Sequence, residues 1–280
     1  MRPLTYILLI GLSVSQGFAD DRETPNLADE RLEINLFAES PEIMTPIGMT
    51  IDSRDRIFVI ESHTHHPPAN YAGPKGDRIK VFIDKDDDGK PDHVSVFAED
   101  IQQAMNLAFS PAGDLYVVCA REVLRLADRD GDGKCDAPER VLELETHERF
   151  AHNSMLGITF DRNGWIYVAR GNTGSHAYRI AGSDGTSVAG YGDGGSVIRC
   201  RADGSQLSEL ATGFWNPFDL KFDCSGRLLL VDNDPDARGP NRLRANMPAP
   251  PGATSNTCSH RTPTSATGLP AWPWWPADPP

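Results

Sequence analysis

The sequence predicts an all-β protein, a β-propeller that contributes four blades of a six-bladed ring and ends in a disordered, Pro-rich tail. Three observations predict this architecture. A strand–turn–strand pattern recurs four times, the copies lie 51 to 62 residues apart, and no stretch shows sustained 3.6-residue apolar periodicity. Units of about four strands at this spacing are typical of propeller blades. We therefore assign residues 30–243 to a partial propeller.

Each copy of the repeat has an apolar strand, an aromatic or Ile followed by Asp or Ser, a polar turn and a second apolar strand. Glycine in three of the turns supplies the positive φ that a tight hairpin requires. The four copies are Met49–Ile60, Leu107–Val118, Ile158–Ala169 and Leu220–Val231.

Further strand-like runs lie between the copies and are expected to complete the blades. The Gly-rich run Gly182–Gly195 is expected to be a loop, because it lacks the βαβ unit of a nucleotide-binding fingerprint. The expected strands are Ile79–Ile83, Val94–Ala98, Val123–Ala127, Val141–Leu144 and Ser196–Arg201.

The two ends differ from the repeat region. Residues 1–19 have a basic start, a short apolar run and a small-residue cleavage site at Ala19, as in a signal peptide. We therefore expect an exported chain, periplasmic or extracellular, without a transmembrane segment after cleavage. Residues 244–280 hold 9 of the 22 prolines and a single Leu, so they bury too little apolar surface to fold. Two interpretations stay open: a genuine disordered tail, or a non-native segment produced by a frameshift or truncation.

The net charge of −13 argues against a nucleic-acid partner, because phosphate binding needs clustered Lys and Arg. An acidic chain suits the binding of divalent cations, or it serves solubility alone. The five cysteines are odd in number and follow no disulfide framework.

Two aspartate ladders predict calcium loops, because Ca²⁺ takes several hard oxygen ligands around a tight turn. In each, Asp occupies positions 1, 3, 5 and 9, and Gly at position 6 permits the turn. The second loop has Glu139 at position 12, whereas the first has Ser95 and is expected to bind more weakly. Solvated acidic turns are the alternative, and bound ions would be structural clamps. The predicted metal residues are Asp84, Asp86, Asp88, Lys90 and Asp92 in the first loop, and Asp128, Asp130, Asp132, Lys134, Asp136 and Glu139 in the second.

Two histidine segments are candidates for a functional role, one as a general base and one as a transition-metal site. His152 precedes the third copy of the repeat, where a side chain can face the central channel and act as a general base. The alternative is a loop histidine bonded to a neighbouring backbone group. His63, His65 and His66 follow the first copy, but no further ligand is spaced to complete a transition-metal site.

The order of three segments resembles the soluble quinoprotein glucose and sorbosone dehydrogenase-like propellers. With the Asp loops and the His-Thr-His-His-Pro-Pro segment, the chain is most similar to the N-terminal propeller of the planctomycete-type membrane-bound dehydrogenases. Ala151 and Trp215 depart from the pattern, since those enzymes carry Asp and Arg at these positions. The segments are His152 to Asn172, Gly213 to Leu220 and Asp232 to Asn241.

The resemblance implies a six-bladed propeller that binds pyrroloquinoline quinone (PQQ) and Ca²⁺ at the top of its channel. It implies that His152 is the catalytic base for a sugar or alcohol, and that Asn216 lies beside the quinone. Backbone oxygens near Asp234 and Pro235 would bind the catalytic calcium. A cytochrome is then a possible electron acceptor.

Two functions follow. The first is a truncated PQQ-dependent sugar or alcohol dehydrogenase-like domain, and whether it is active or inactive stays open. The second is a calcium-stabilised, non-catalytic propeller that binds a carbohydrate or a protein, because the fold serves both roles.

Overall fold

The structure is a computed structural model that describes residues 25, 27–148, 154–174, 176–192 and 194–233, with the backbone of 6–10 and 242–247. Across these residues every regular element is a β-strand, and four of the five sheets form radial blades. The predicted all-β propeller fold is therefore confirmed. A helix suited to crossing a bilayer is not found in the described part of the chain.

Each blade is an antiparallel sheet whose strands follow one another outwards from the channel. The innermost strands of successive blades contact each other, which arranges the blades around a common axis. Blade 1 contains β3 (Pro46–Ile51), β4 (Ile57–Glu61), β5 (Asp77–Ile83) and β6 (His93–Ile101). Blade 2 contains β7 (Ala104–Phe109), β8 (Leu115–Cys119), β9 (Glu122–Leu126) and β10 (Glu139–Thr146). Blade 3 contains β11 (Met155–Phe160), β12 (Trp165–Arg170), β15 (Gly195–Arg201) and β16 (Ser208–Phe214), and blade 4 contains β17 (Pro217–Phe222), β18 (Leu228–Asp232) and β19 (Arg242–Met247).

A hairpin inserted into blade 3 belongs to the sheet of blade 2. In the sequence, strands β13 (Ala177–Ala181) and β14 (Ser187–Tyr191) lie between β12 and β15. They pair with each other, and β13 also pairs with β10 of blade 2. Blade 2 thereby becomes a six-stranded sheet. The expectation of a loop over Gly182–Gly195 was wrong, because this run contains β14 and the start of β15. Gly190 lies so close to the Tyr178 ring that a Cβ would come within 2.9 Å of it, so this glycine permits packing inside the hairpin.

The turn of the repeat is held by its Asp side chain. In blade 3, Asp161 Oδ1 accepts hydrogen bonds from the backbone N–H of Asn163 and Trp165, both at 2.9 Å. Asp223 does the same in blade 4, while Gly164 and Gly226 adopt φ of 77° and 81°. The Asp and Gly of the repeat are therefore the residues that close the hairpin.

The aromatic residues of the repeat join neighbouring blades. An aromatic ring on the second strand of one blade meets edge-on the Phe that ends the first strand of the next blade, and in each case the ring centroids lie 5.0 Å apart. Edge-to-face contact of this kind is favourable beyond its buried area. The pairs are Phe58–Phe109, Tyr116–Phe160 and Tyr167–Phe222.

The hydrophobic core lies between blades, and the two outer blades of the arc are exposed on one face. Ile47, Met49 and Ile51 of β3 remain 38 to 52% exposed, and Leu243 at the other end is 71% exposed. In a closed propeller these faces would be covered by further blades.

The chain termini extend the described architecture in two places. Strand β1 (Tyr6–Ile10), inside the predicted signal peptide, pairs in parallel with β2 (Glu33–Ala38). Strand β19 pairs with β18 and reaches Met247, so the strand pattern runs beyond the boundary predicted at residue 243. Residues 248–280, where most of the predicted tail lies, are outside the described residues.

Candidate functional site

One face of the ring, which we call the upper face, contains the starts of the innermost strands and the connections between the second and third strands of each blade. The same backbone hydrogen bond closes this face in all four blades. The residue after the second strand donates its N–H to the carbonyl of the residue before the first strand, at 2.8 to 3.4 Å. The donor–acceptor pairs are Ser62–Thr45, Ala120–Gln103, Gly171–Ser154 and Asn233–Asn216.

The next residue along the chain therefore has an equivalent position in each blade. These residues are His63 in blade 1, Arg121 in blade 2, Asn172 in blade 3 and Asp234 in blade 4. Each carries a hydrogen-bonding or charged side chain, and His63, Arg121 and Asn172 lie on the upper face. The repeat thus places one polar residue at the mouth of the channel in each of blades 1 to 3, whereas Asp234 is outside the described residues.

Asn216 and Asn172 are brought together at this face. Both are buried, and Asn216 Oδ1 accepts bonds from the Asn172 backbone N–H at 3.1 Å and from its Nδ2 at 2.9 Å. Trp215 completes the link, because its carbonyl also accepts from the Asn172 N–H and its own N–H donates to Asp232. The bonds on Oδ1 fix the orientation of the Asn216 amide.

Asn233 is joined to Asn216 through its backbone N–H, which donates to the Asn216 carbonyl at 3.4 Å. Its Oδ1 is inaccessible to solvent and has no hydrogen-bond partner among the described residues. A buried amide oxygen without a partner costs free energy, so a cation or a donating ligand would be favourable here.

Arg170, at the upper end of β12, fixes the backbone next to Asn172. Its guanidinium donates to the carbonyls of Gly171 and Gly194, both at 2.8 Å, and to Ser196 Oγ at 3.1 Å. It also lies 3.8 Å from the Tyr178 ring centroid, a cation–π contact. Burial lowers the pKa of Arg170, which nonetheless stays charged. All of these partners belong to the protein, which indicates a structural role.

Arg121 is another cation of the upper face. It donates to the carbonyls of Ala120 at 3.2 Å and Glu148 at 2.5 Å, and burial lowers its pKa. Glu148 leads into residues 149–153, so Arg121 holds the start of the segment that contains His152. The structure describes neither His152 nor Pro235, so their predicted roles and that of Asp234 stay predictions.

The channel wall carries one polar contact that spans two blades. Asn106 on β7 donates through Nδ2 to Asp219 Oδ1 on β17, at 3.1 Å, although blade 3 lies between them. The bond passes Gly157 of β11, where a Cβ would come within 2.9 Å of the Phe218 carbonyl. The absence of a side chain at residue 157 therefore permits blades 3 and 4 to approach closely.

The two aspartate ladders lie at the opposite, lower face, because each connects the third and fourth strands of its blade. In each ladder the first three carboxylates converge, with one oxygen from each within 4.8 Å of the others. Asp84 Oδ1 is buried and lacks a hydrogen-bond partner among the described residues, so it fits the first ligand of a cation. These converging sets are Asp84, Asp86 and Asp88, and Asp128, Asp130 and Asp132.

The remaining predicted metal residues have other partners in this structure. Asp92 and Asp136 close the loops by accepting from backbone N–H groups of Lys85 at 2.6 Å and Arg129 at 2.9 Å. Glu139, predicted at the bidentate position, is ion-paired with Arg129 and with Arg125, 3.4 Å away. The backbone N–H groups of Lys90 and Lys134 donate to Asp88 and Asp132, which shapes the turns.

The sequence interpretation missed Arg170, Arg121 and Asn233, and it gave Asn172 no role. A signal was present, because aligning the four copies of the repeat places Asn172 and Arg121 at one position. The four described cysteines, Cys119, Cys135, Cys200 and Cys224, are free thiols.

Comparison with known families gives one decisive match. A family profile described as a domain of unknown function, DUF7133, matches residues 27–267. The chain belongs to the DUF7133 family. The match spans all four blades of this DUF7133 chain and continues past residue 243. A search of curated proteins found no match.

Solved structures similar to the DUF7133 chain are distant in sequence. A carbohydrate-active enzyme of family AA12 from Trichoderma reesei has a TM-score of 0.51 at 13% identity, covering 71% of this chain and 51% of that one. The PQQ domain of pyranose dehydrogenase from Coprinopsis cinerea has a TM-score of 0.49 at 13% identity, covering 72% and 48%. A PQQ-bound aldose sugar dehydrogenase from Streptomyces coelicolor has 0.48 at 16%, covering 72% and 59%. The DUF7133 chain spans about half the length of these structures, and the likeness to the AA12 enzyme shows the fold.

Proposed function

We propose that this chain is the propeller domain of an exported PQQ- and Ca²⁺-dependent sugar or alcohol dehydrogenase of the planctomycete-type membrane-bound dehydrogenase kind. The observation that carries the proposal is the amide cluster of the upper face. Asn216 has its oxygen fixed by Asn172, and Asn233 Oδ1 is buried without a hydrogen-bond partner among the described residues. Such a cluster supports a ligand that combines a cation with hydrogen-bond acceptors.

The residues present fit that cofactor in kind. The Asn216 amide would donate a hydrogen bond to an oxygen of the quinone. Arg121 would offset part of the quinone's carboxylate charge, because the side chain of Trp215 is uncharged. Asn233 Oδ1, with oxygens of Asp234 and Pro235, would bind Ca²⁺, which prefers carbonyl and carboxylate ligands. PQQ, when bound, would supply a two-electron acceptor.

His152 would then hold the proton that leaves the substrate hydroxyl. An imidazole titrates near neutral pH and therefore suits a general base. Arg121 would position this base, because it holds the Glu148 carbonyl at the start of the His152 segment. The substrate would be a small sugar or alcohol, and a cytochrome would be the electron-accepting partner.

The proposal is tested by titrating the purified chain with PQQ, with Ca²⁺ and then EDTA, while following the quinone absorbance. We expect saturable binding that EDTA reverses. Asn216→Ala should weaken binding roughly 10- to 100-fold, the loss expected for one hydrogen bond to a charged ligand. Asn163→Ala is the matched control, because Asn163 is an exposed Asn at the lower end of the neighbouring blade 3.

Turnover separates binding from chemistry. His152→Ala should retain PQQ binding and lose oxidation of a sugar and alcohol panel. A folded chain that binds no PQQ in calcium would refute the proposal, and so would unchanged turnover in His152→Ala.

A second function is favoured by the aspartate ladders. Their converging carboxylates lie on the lower face, away from the amide cluster, so calcium there would stabilise the propeller without taking part in catalysis. On this alternative the chain binds a carbohydrate or protein ligand and has no quinone affinity.

Calcium-dependent melting tests the second function. We expect EDTA to lower the melting temperature, and Asp128→Asn to remove part of the calcium effect. An unchanged transition in EDTA would contradict both calcium loops, whereas calcium-dependent stability without PQQ binding would favour the non-catalytic function.

A further inference from the structure

The connection between β4 and β5 on the upper face contains a chain of three polar side chains that the proposed quinone site does not use. Its members are Glu61, at the end of β4, then His63 and Tyr71. Glu61 and His63 are nearly inaccessible, with side chains 2% and 4% exposed, while Tyr71 is half-buried. A buried imidazole between a carboxylate and a hydroxyl is the arrangement used to activate nucleophiles.

The hydroxyl and the imidazole are in direct contact. Tyr71 Oη and His63 Nδ1 form a short hydrogen bond, and the two rings are stacked with centroids 6.0 Å apart. The other ring nitrogen, Nε2, lies 3.2 Å from Glu61 Oε2. This second contact is bent away from hydrogen-bond geometry, so it acts as an electrostatic contact.

The charge of Glu61 decides which nitrogen carries the proton. Although burial opposes ionisation, the hydrogen bond from Lys80 and its positive charge keep the pKa of Glu61 below its usual value, so it is a carboxylate at neutral pH. A carboxylate facing Nε2 favours the tautomer with the proton on Nε2. His63 Nδ1 is then the acceptor, and the Tyr71 hydroxyl donates to it.

Two residues hold this geometry. Asp77, fully buried, accepts from the His63 backbone N–H at 2.6 Å and so fixes the backbone of the imidazole. Gly73 lies under the Tyr71 phenol, since a Cβ there would be 2.3 Å from Oη. The phenol therefore reaches His63 only because residue 73 has no side chain.

The charged groups around the chain are the Glu61 and Asp77 carboxylates and three cations. Lys80 Nζ lies 2.9 Å and Arg78 NH1 3.9 Å from the Glu61 carboxylate, both from β5. Lys75, in the same connection as Tyr71, donates to the Tyr71 carbonyl at 3.4 Å. Lys80 and Arg78 thus favour the ionised form of Glu61, and Lys75 helps to fix the backbone of Tyr71.

We propose that Tyr71 is a nucleophile for acyl transfer, with His63 as its general base and Glu61 as the group that positions His63. The ligand class is a small ester. The phenolic oxygen forms a bond to the acyl carbon, and its proton passes to His63 Nδ1. The bond from the acyl carbon to the alcohol oxygen breaks, and that oxygen leaves with the proton. The product is an O-acyl tyrosine, and water returns the free phenol.

The test uses p-nitrophenyl acetate on the full chain, with acetylation at each tyrosine measured by peptide mass mapping. Tyr191, 65% exposed, is the internal reference. We expect Tyr71 to acetylate about 100-fold faster than Tyr191 despite its lower exposure, the lower end of general-base effects. Glu61→Gln, His63→Asn and Gly73→Ala should each slow Tyr71 and leave Tyr191 unchanged.

The pH profile of the wild-type chain gives a readout that needs no variant. With His63 as base, the ratio of the Tyr71 rate to the Tyr191 rate should vary with pH, because only Tyr71 passes its proton to an imidazole. Equal rates at Tyr71 and Tyr191, parallel pH profiles, or a Tyr71 rate unaffected in folded His63→Asn would each overturn the proposal. Tyr116 and Tyr167, whose pKa burial raises to about 12, should stay unlabelled.

Discussion

Replacing Asp77 tests how blade 1 is fastened to blade 2. Asp77 Oδ1 accepts from the N–H groups of His63 and Thr64, and Oδ2 accepts from the Thr64 hydroxyl and from Ala104 N–H, all at 2.6 to 2.8 Å. Ala104 begins the innermost strand of blade 2, 27 residues further along the chain. One carboxylate thus joins a loop of the first blade to the first strand of the second.

The expected cost follows from the donors that lose their acceptor. In Asp77→Ala the N–H groups of His63 and Ala104 stay buried without a partner, and each costs about 1–3 kcal/mol. The free energy of unfolding should therefore fall by about 2–6 kcal/mol, a large part of the 5–15 kcal/mol typical of a domain. Asp77→Asn keeps one acceptor oxygen and should lose about half as much.

The assay is urea unfolding in calcium-containing buffer, followed by circular dichroism and fluorescence together to check two-state behaviour. Glu99→Ala, which removes an exposed carboxylate from the neighbouring strand β6, is the control and should stay within about 0.5 kcal/mol of wild type. If Asp77→Ala unfolds within about 1 kcal/mol of wild type, the carboxylate does not fasten the blades and the reasoning fails.

Three further predictions follow from other blades. Gly157→Ala should lower unfolding free energy by about 1–3 kcal/mol in urea, because its Cβ would come within 2.9 Å of the Phe218 carbonyl; unchanged stability would show that blades 3 and 4 can separate. Arg170→Met should also destabilise the chain, by about 2–4 kcal/mol in the same assay, since buried carbonyls lose their donor; a neutral effect would count against that network. Hydrogen bonds from Gln206 and Thr186 lower the pKa of Asp184 to about 2, so its stabilisation is present above about pH 4 and is lost as pH falls through 2. The melting temperature of Asp184→Asn should therefore be lower than that of wild type at pH 5 and equal to it near pH 2. A difference in melting temperature that does not depend on pH would contradict this.

The blades were predictable because their signals are local. Each copy of the repeat carries its own hairpin-closing Asp or Ser and at least one aromatic that contacts a neighbouring blade, so Asp161 and Phe160 could be recognised without knowing their partners. The strands predicted between the copies are all present. The sequence also indicated an open arc, and Ile47 and Met49 are exposed accordingly.

The glycine run misled the prediction because glycine has two uses. Turns need its positive φ, but close packing needs its missing Cβ, and the two cannot be separated from one sequence. Gly192 is the second kind, since a Cβ would be 2.1 Å from the Gly174 carbonyl. The partners that reveal this use lie outside the run itself.

The upper face was predictable only in part. Asn216 was found through its resemblance to a family, whereas Asn233 and Arg121 depend on bonds between distant segments. The role of Tyr71 needs Glu61 and Gly73 in the right places, and no spacing rule joins these residues. The lower-face carboxylates were easier, because their ligand pattern is contiguous.

The borrowed hairpin of β13 and β14 means that the order of the sequence and the order of assembly differ. Blade 2 receives its last two strands from residues 177–191, which are made after β11 and β12 of blade 3. During synthesis the sheet of blade 2 therefore lacks its two outermost strands until β11 and β12 of blade 3 have been made. Dividing the chain between the repeats of blades 2 and 3 would leave the sheet of blade 2 without β13 and β14. We therefore expect these two blades to be gained, lost or exchanged in evolution only together.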